Sequence, residues 1–84
     1  AAAVAEYERA ARALRAALAE RGAGLPAGTL SVVDENLAVI DAAIADLTRA
    51  VAAAPGDRNL TTRLAATWAR QIELLETANR LSTT

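Results

Sequence analysis

Six aliphatic side chains, Val33, Leu37, Ile40, Ile44, Leu47 and Val51, follow one another at steps of 4, 3, 4, 3 and 4. No other feature of the chain restricts its fold as strongly. The spacing places all six on one stripe of an α-helix, in the heptad pattern through which helices pack on helices. A half-buried strand needs alternation with a period of two. The chain is also rich in Ala, Leu, Arg and Glu, with Tyr7 and Trp68 as its only aromatics, so it offers few good strand formers.

The stripe must end near Pro55, because the residue before a proline is pushed out of the helical region. "PGD" follows at 55–57, with Asp57 a good N-cap for another helix. Beyond it, Leu60, Leu64, Trp68, Ile72, Leu75 and Ala78 form a broad apolar face flanked by Leu74 and Leu81. Two helices of nearly equal length, each about 38 Å at about 1.5 Å per residue, joined by so short a link, must double back as an antiparallel hairpin.

Upstream, Val4, Tyr7, Ala11, Leu14 and Leu18 recur at steps of 3, 4, 3 and 4 and predict a further helix. Gly22 and Gly24 end it, glycine being the residue that readily takes the left-handed conformation of a C-terminal cap. Either Pro26 in the first turn or Thr29 as N-cap starts the next helix. The expected fold is all-α: a single domain over 1–84, with helices at about 2–22, 28–54 and 58–82 in a three-helix antiparallel arrangement built on the long hairpin. The first stripe is alanine-rich and offers the least apolar area. It docks on the hairpin of its own chain or, alternatively, on a second copy.

Composition excludes several chemistries. Cysteine and histidine are both absent, which removes disulfides, thiolate and imidazole catalysis and ordinary zinc sites. All nine basic residues are arginine, as a GC-rich genome would produce, and they are scattered through a chain of net charge −1. They form no basic stripe for a phosphate backbone, so nucleic acid is not an expected partner. No uncharged apolar run reaches the roughly 18–20 residues a membrane span requires. The opening "AAAVAEYERA" has neither an initiator Met nor a signal-peptide pattern and reads as part of a longer chain. No phosphate-binding glycine loop, serine elbow or metal motif is present. No catalytic residue, cofactor or metal is therefore expected.

Among candidate residues, Asp34, Glu35, Asp41 and Asp46 concentrate on the second helix against Arg49 alone. Each falls off the apolar stripe, which suits a solvated face attracting arginines from neighbouring helices better than an inward-facing carboxylate site. Gln71 falls inside the apolar face of the third helix. It fixes register by bonding across the hairpin, as buried Asn does in coiled coils, or lines a small polar pocket, or reaches water near the end of the seam. Asn36, beside the stripe, raises the same question more weakly. Trp68 packs in the core with its indole N–H on a partner, or anchors a contact; Tyr7 offers the same choice nearer a helix end.

Two resemblances bear on the hairpin. Ala43 and Ala50 before Pro55, and Leu64, Ala65 and Trp68 after it, resemble one tetratricopeptide joint. The third helix then continues through Ile72 to Leu81, where such a repeat would turn.

A more specific likeness runs over roughly residues 28–82. Val32, Val33, Glu35, Asn36, Leu37, Ile40, Asp41, Ala43 and Ile44 carry an entry of the form V-V-x-E-N-L-x-x-I-D-x-A-I. The joint Ala52, Pro55, Asp57 follows, and then Leu64, Ala65, Trp68, Ile72, Leu74 and Leu75. This order resembles the C-terminal helical region of bacterial anti-sigma factors that have an N-terminal zinc-finger domain. The resemblance implies a region outside the sigma-binding module, often beyond a membrane helix, that senses or interacts. Trp68 stands where that pattern has tyrosine, and Ala69, Arg70 and Gln71 reduce the basic pair that usually follows.

The expected function is thus a non-enzymatic regulatory domain acting through helix–helix protein contacts, with a protein partner or self-association as a homodimer. The interaction residues are Trp68 and Gln71, rimmed by Arg70 and Asp41, with Tyr7 as a further anchor. The setting the resemblance implies is bacterial and extracytoplasmic, with a cytoplasmic alternative, and any membrane attachment lies in a parent chain. The competing readings are a sensor holding a small apolar ligand near Trp68 and a single tetratricopeptide-like module.

Overall fold

The computed structural model describes residues 2–21 and 24–82. They form three helices, α1 (Ala2–Arg21), α2 (Ala27–Ala53) and α3 (Arg58–Ser82), and each bound lies within one residue of the expected position. Heptad spacing sets the lengths and the proline and aspartate set the joint. Ala54 leaves the helical region (φ −138°, ψ 68°) while its N–H still bonds the Ala50 carbonyl at 3.0 Å. Asp57 N–H then closes a turn onto the Ala54 carbonyl at 3.0 Å, with Pro55 at the second position. The Asp57 carboxylate caps α3 by accepting from the N–H groups of Asn59 (3.0 Å) and Leu60 (3.2 Å).

The entry to α2 differs from both expected starts. Pro26 is the residue immediately before the helix (φ −56°, ψ 145°), and its carbonyl accepts from Leu30 N–H at 3.0 Å. Thr29 lies inside the first turn. Leu25 and Leu30 occupy the positions of a hydrophobic staple around this start: Leu25 is buried and Leu30 packs against the same cluster. Gly24 takes no left-handed conformation, so it is not the cap the sequence suggests. Its need is for space, since a Cβ there would lie 2.7 Å from the Ser82 carbonyl oxygen at the end of α3. Gly22 lies outside the described residues.

α3 is the central element. α1 and α2 both pack along it and barely approach each other, so α1 docks on the hairpin of its own chain. α2 runs antiparallel to α3, as the short joint requires. α1 runs parallel to α3: Leu14 lies beside Asn79, and the chain after α1 reaches Ser82. Ala11, Leu18, Leu25, Val33, Leu37, Leu75 and Ala78 form the buried cluster, with Leu14, Leu30, Trp68, Ile72 and Leu74 against it. None of these residues falls between 38 and 67. Toward the joint the seam continues through buried Ile44 and Leu64 to half-buried Leu47, Val51 and Leu60. The reason is length: α1 spans about 30 Å against about 40 Å for α2, so the joint end of the hairpin is a two-helix layer.

Candidate functional site

Two features stand out, one on each side of the α2–α3 layer. The first is a polar bridge across all three helices. Gln71, only 1% exposed, donates from Nε2 to Asp41 Oδ1 on α2. Arg15 on α1 in turn donates from Nη2 to both oxygens of Asp41, at 2.7 and 2.9 Å. The ion pair is open to solvent, with the Arg15 and Asp41 side chains 41% and 50% exposed, and such pairs contribute little by themselves. The buried amide is different, because leaving it unpaired would be costly. Gln71 therefore fixes the register of the hairpin; its burial rules out the water-reaching alternative.

Asp41, Gln71 and Trp68 line one cleft of about 330 Å³ with Glu8, Ala11, Arg12 and Arg15, so the structure brings three of the five expected interaction residues together. Trp68 is half-buried against the core. Its indole Nε1 is buried with no hydrogen-bond partner, contrary to expectation. Burial of the ring outweighs one unsatisfied donor, at about 25 cal/mol per Å² against about 1–3 kcal/mol for the lost bond. Tyr7 is half-buried on α1, while Arg70 is exposed on the opposite side of α3. The acids of α2 are spread over its outer surface: Asp41 meets Arg15 from a neighbouring helix and Asp46 pairs with Arg49.

Sequence reasoning missed Asn79. It is 8% exposed and donates from Nδ2 to the carbonyls of Leu14 (3.1 Å) and Leu75 (2.9 Å). Its Oδ1 is buried without a partner. The signal was its spacing: Asn79 stands one heptad beyond Ile72, which packs against the buried cluster.

The second feature is an open groove between α2 and α3 on the face away from α1. Its two adjoining depressions, of about 450 and 370 Å³, share Asn36, Leu74 and Thr77. The exposed large hydrophobics of the described residues, Val32 (55%), Val39 (70%) and Leu81 (50%), all line it. Thr29, Val32, Asn36, Val39 and Ala43 form a second heptad stripe on α2, at steps of 3, 4, 3 and 4. Arg70 and Glu73 stand at the end nearer the joint, and Gly28 and Thr29 at the other.

No protein-family model, curated protein or solved structure matches the chain. Among the described residues no helix is long and apolar enough to cross a membrane.

Proposed function

We propose that this chain is a non-enzymatic interaction domain of an anti-sigma-factor-like regulator, acting through helix–helix contacts in an extracytoplasmic setting. The observation that carries the reading is the groove: Val32, Val39 and Leu81, each at least half exposed, gather on one surface between two helices. Apolar side chains scattered singly need no explanation; here three lie on one surface, joined through half-buried Leu74 with Asn36 and Thr77 among them, which suits a partner helix of mixed polarity. The resemblance of residues 28–82 to anti-sigma C-terminal regions supplies the regulatory context, and its entry motif includes four groove residues, Val32, Val33, Asn36 and Ile40. The cleft beside Trp68, with Glu8, Arg12, Arg15 and Asp41 around it, is too charged to favour the apolar-ligand alternative.

The test is a Val39→Glu substitution in the chromosomal copy of the native host, read by transcript profiling. Val39 is 70% exposed, so the helix tolerates the change while the groove gains a charge. A coherent shift in the promoters of one alternative sigma factor is expected. An unchanged transcript profile would refute the assignment.

A further inference from the structure

We infer that Asn59 is the acceptor for an N-linked glycan, transferred from a lipid-pyrophosphate oligosaccharide by a membrane oligosaccharyltransferase. The inference rests on the extracytoplasmic setting and adds a modification to it.

The chain has three asparagines, and only one opens an N-x-T triplet: Asn59-Leu60-Thr61, with no proline between. Asp57 stands two residues ahead and extends the triplet to D-x-N-x-T, the longer acidic form that bacterial acceptors take. The fold separates the three asparagines in the same way. Asn79 is buried and held by two carbonyls, and Asn36 stands in the groove. Asn59 is exposed in the first turn of α3. It lies about four and a half turns before the fully buried Leu75, and so on the opposite face of the helix. Its backbone N–H is taken by Asp57, while its side-chain amide bonds no described residue.

Positions i and i+2 of a helix do not face the same way. Presenting the Asn59 amide and the Thr61 hydroxyl to one enzyme site therefore requires the turn to open. This turn is held by a single residue. The first N–H groups of a helix have no partner within it, and here Asp57 supplies them all. Its carboxylate accepts from Asn59 and Leu60 N–H, and its carbonyl accepts from both the N–H and the hydroxyl of Thr61, each at 3.2 Å. Release of Asp57 frees the whole triplet. No side chain between residues 45 and 63 is fully buried, so the opening uncovers no core.

In the transfer, Asn59 Nδ2 attacks the anomeric carbon of the first sugar. A C–N bond forms as the C–O bond to pyrophosphate breaks, the amide gives one proton to a base of the enzyme, and the lipid pyrophosphate leaves. The glycan then stands about 16 Å along α3 from the groove residue Arg70. It shields the two-helix end of the hairpin and leaves the groove open.

Peptide mapping by mass spectrometry of the chain recovered from its native host tests this. The tryptic fragment carrying Asn59 should gain the mass of whole sugar residues. Asn59→Gln and Thr61→Val should each abolish the gain and Thr61→Ser should keep it, all three with the circular dichroism of the wild type. A second arm exports the 84-residue chain to the periplasm of a bacterial strain supplied with an oligosaccharyltransferase and its lipid-linked glycan, where the same pattern is expected. A bare Asn59 in the native host overturns the inference, as does a gain that survives Asn59→Gln or Thr61→Val. Modification in the second strain alone also overturns it, since the acceptor is then competent but never used. The regulatory reading is judged separately by the transcript profile.

Discussion

Asp41→Ala removes the acceptor from Gln71 and leaves the amide where it is, 1% exposed. The cost has two parts. A buried donor left unpaired costs about 1–3 kcal/mol, and loss of the half-exposed pair with Arg15 adds about 0.2–1 kcal/mol. A destabilisation of about 2 kcal/mol is expected, a large share of the roughly 5–15 kcal/mol that holds a typical domain together. For a chain of this size it lowers Tm by about 8–16 °C. Gln71→Leu removes the other end of the same bond with nearly the same volume. Asp41 then turns to water and keeps Arg15, so stability should change by less than about 1 kcal/mol. In the Gln71→Leu background, Asp41→Ala should cost only the surface pair, about 0.5 kcal/mol. The coupling between the two sites is therefore about 1.5 kcal/mol. Urea unfolding of the four proteins, followed by circular dichroism at a few micromolar protein, measures it, provided m stays constant. If Asp41→Ala costs the same in both backgrounds, the buried amide does not depend on Asp41 and the register argument fails.

Three further outcomes follow from local geometry. Gly24→Ala should destabilise by about 1–3 kcal/mol because its Cβ meets the Ser82 backbone, whereas Gly28→Ala, with open space around it in the first turn of α2, should stabilise by about 0.5–1 kcal/mol; equal melting temperatures would contradict the close approach. Asp57→Ala should cost about 1 kcal/mol and speed amide exchange at Asn59 and Leu60, while Asp57→Asn should change stability by only a few tenths of a kcal/mol. Trp68→Phe should lose no more than about 1 kcal/mol, because relief of the unpaired indole N–H offsets part of the lost contact, against about 3–5 kcal/mol for Trp68→Ala. A loss above about 2 kcal/mol for the phenylalanine would mean that the N–H has a partner.

The helices and the hairpin were legible because the signals are local and redundant: heptad spacing, a proline that stops α2 and an aspartate that caps α3. Gln71 was legible as a register residue, since a polar side chain inside an apolar stripe needs a partner and the facing helix must supply it. What periodicity does not give is which side of the hairpin α1 covers. α2 carries two stripes at heptad spacing, and the second, Val32–Asn36–Val39, is interrupted by a polar residue, so it does not declare itself as a separate face. Only tertiary packing decides that α1 lies on the side of Asp41 and Gln71. That choice separates Arg70 from Trp68, which sequence reasoning had grouped on one face. Asn79 was overlooked because its chemistry suggests a surface position near a helix end, and close packing with α1 overrides that tendency. Gly24 shows a similar limit: glycine was read as conformational freedom, and the fold uses its lack of a side chain.

The unequal lengths of the helices give the molecule a mechanical polarity. At the end where α1, α2 and α3 lie together, opening any one helix uncovers the buried cluster. At the proline joint the seam between two helices holds no fully buried side chain, and Leu47, Val51 and Leu60 are each half-buried. Amide exchange should therefore be faster in the helical turns on either side of the joint than at the three-helix end, although the short covalent link keeps the two helices from parting there.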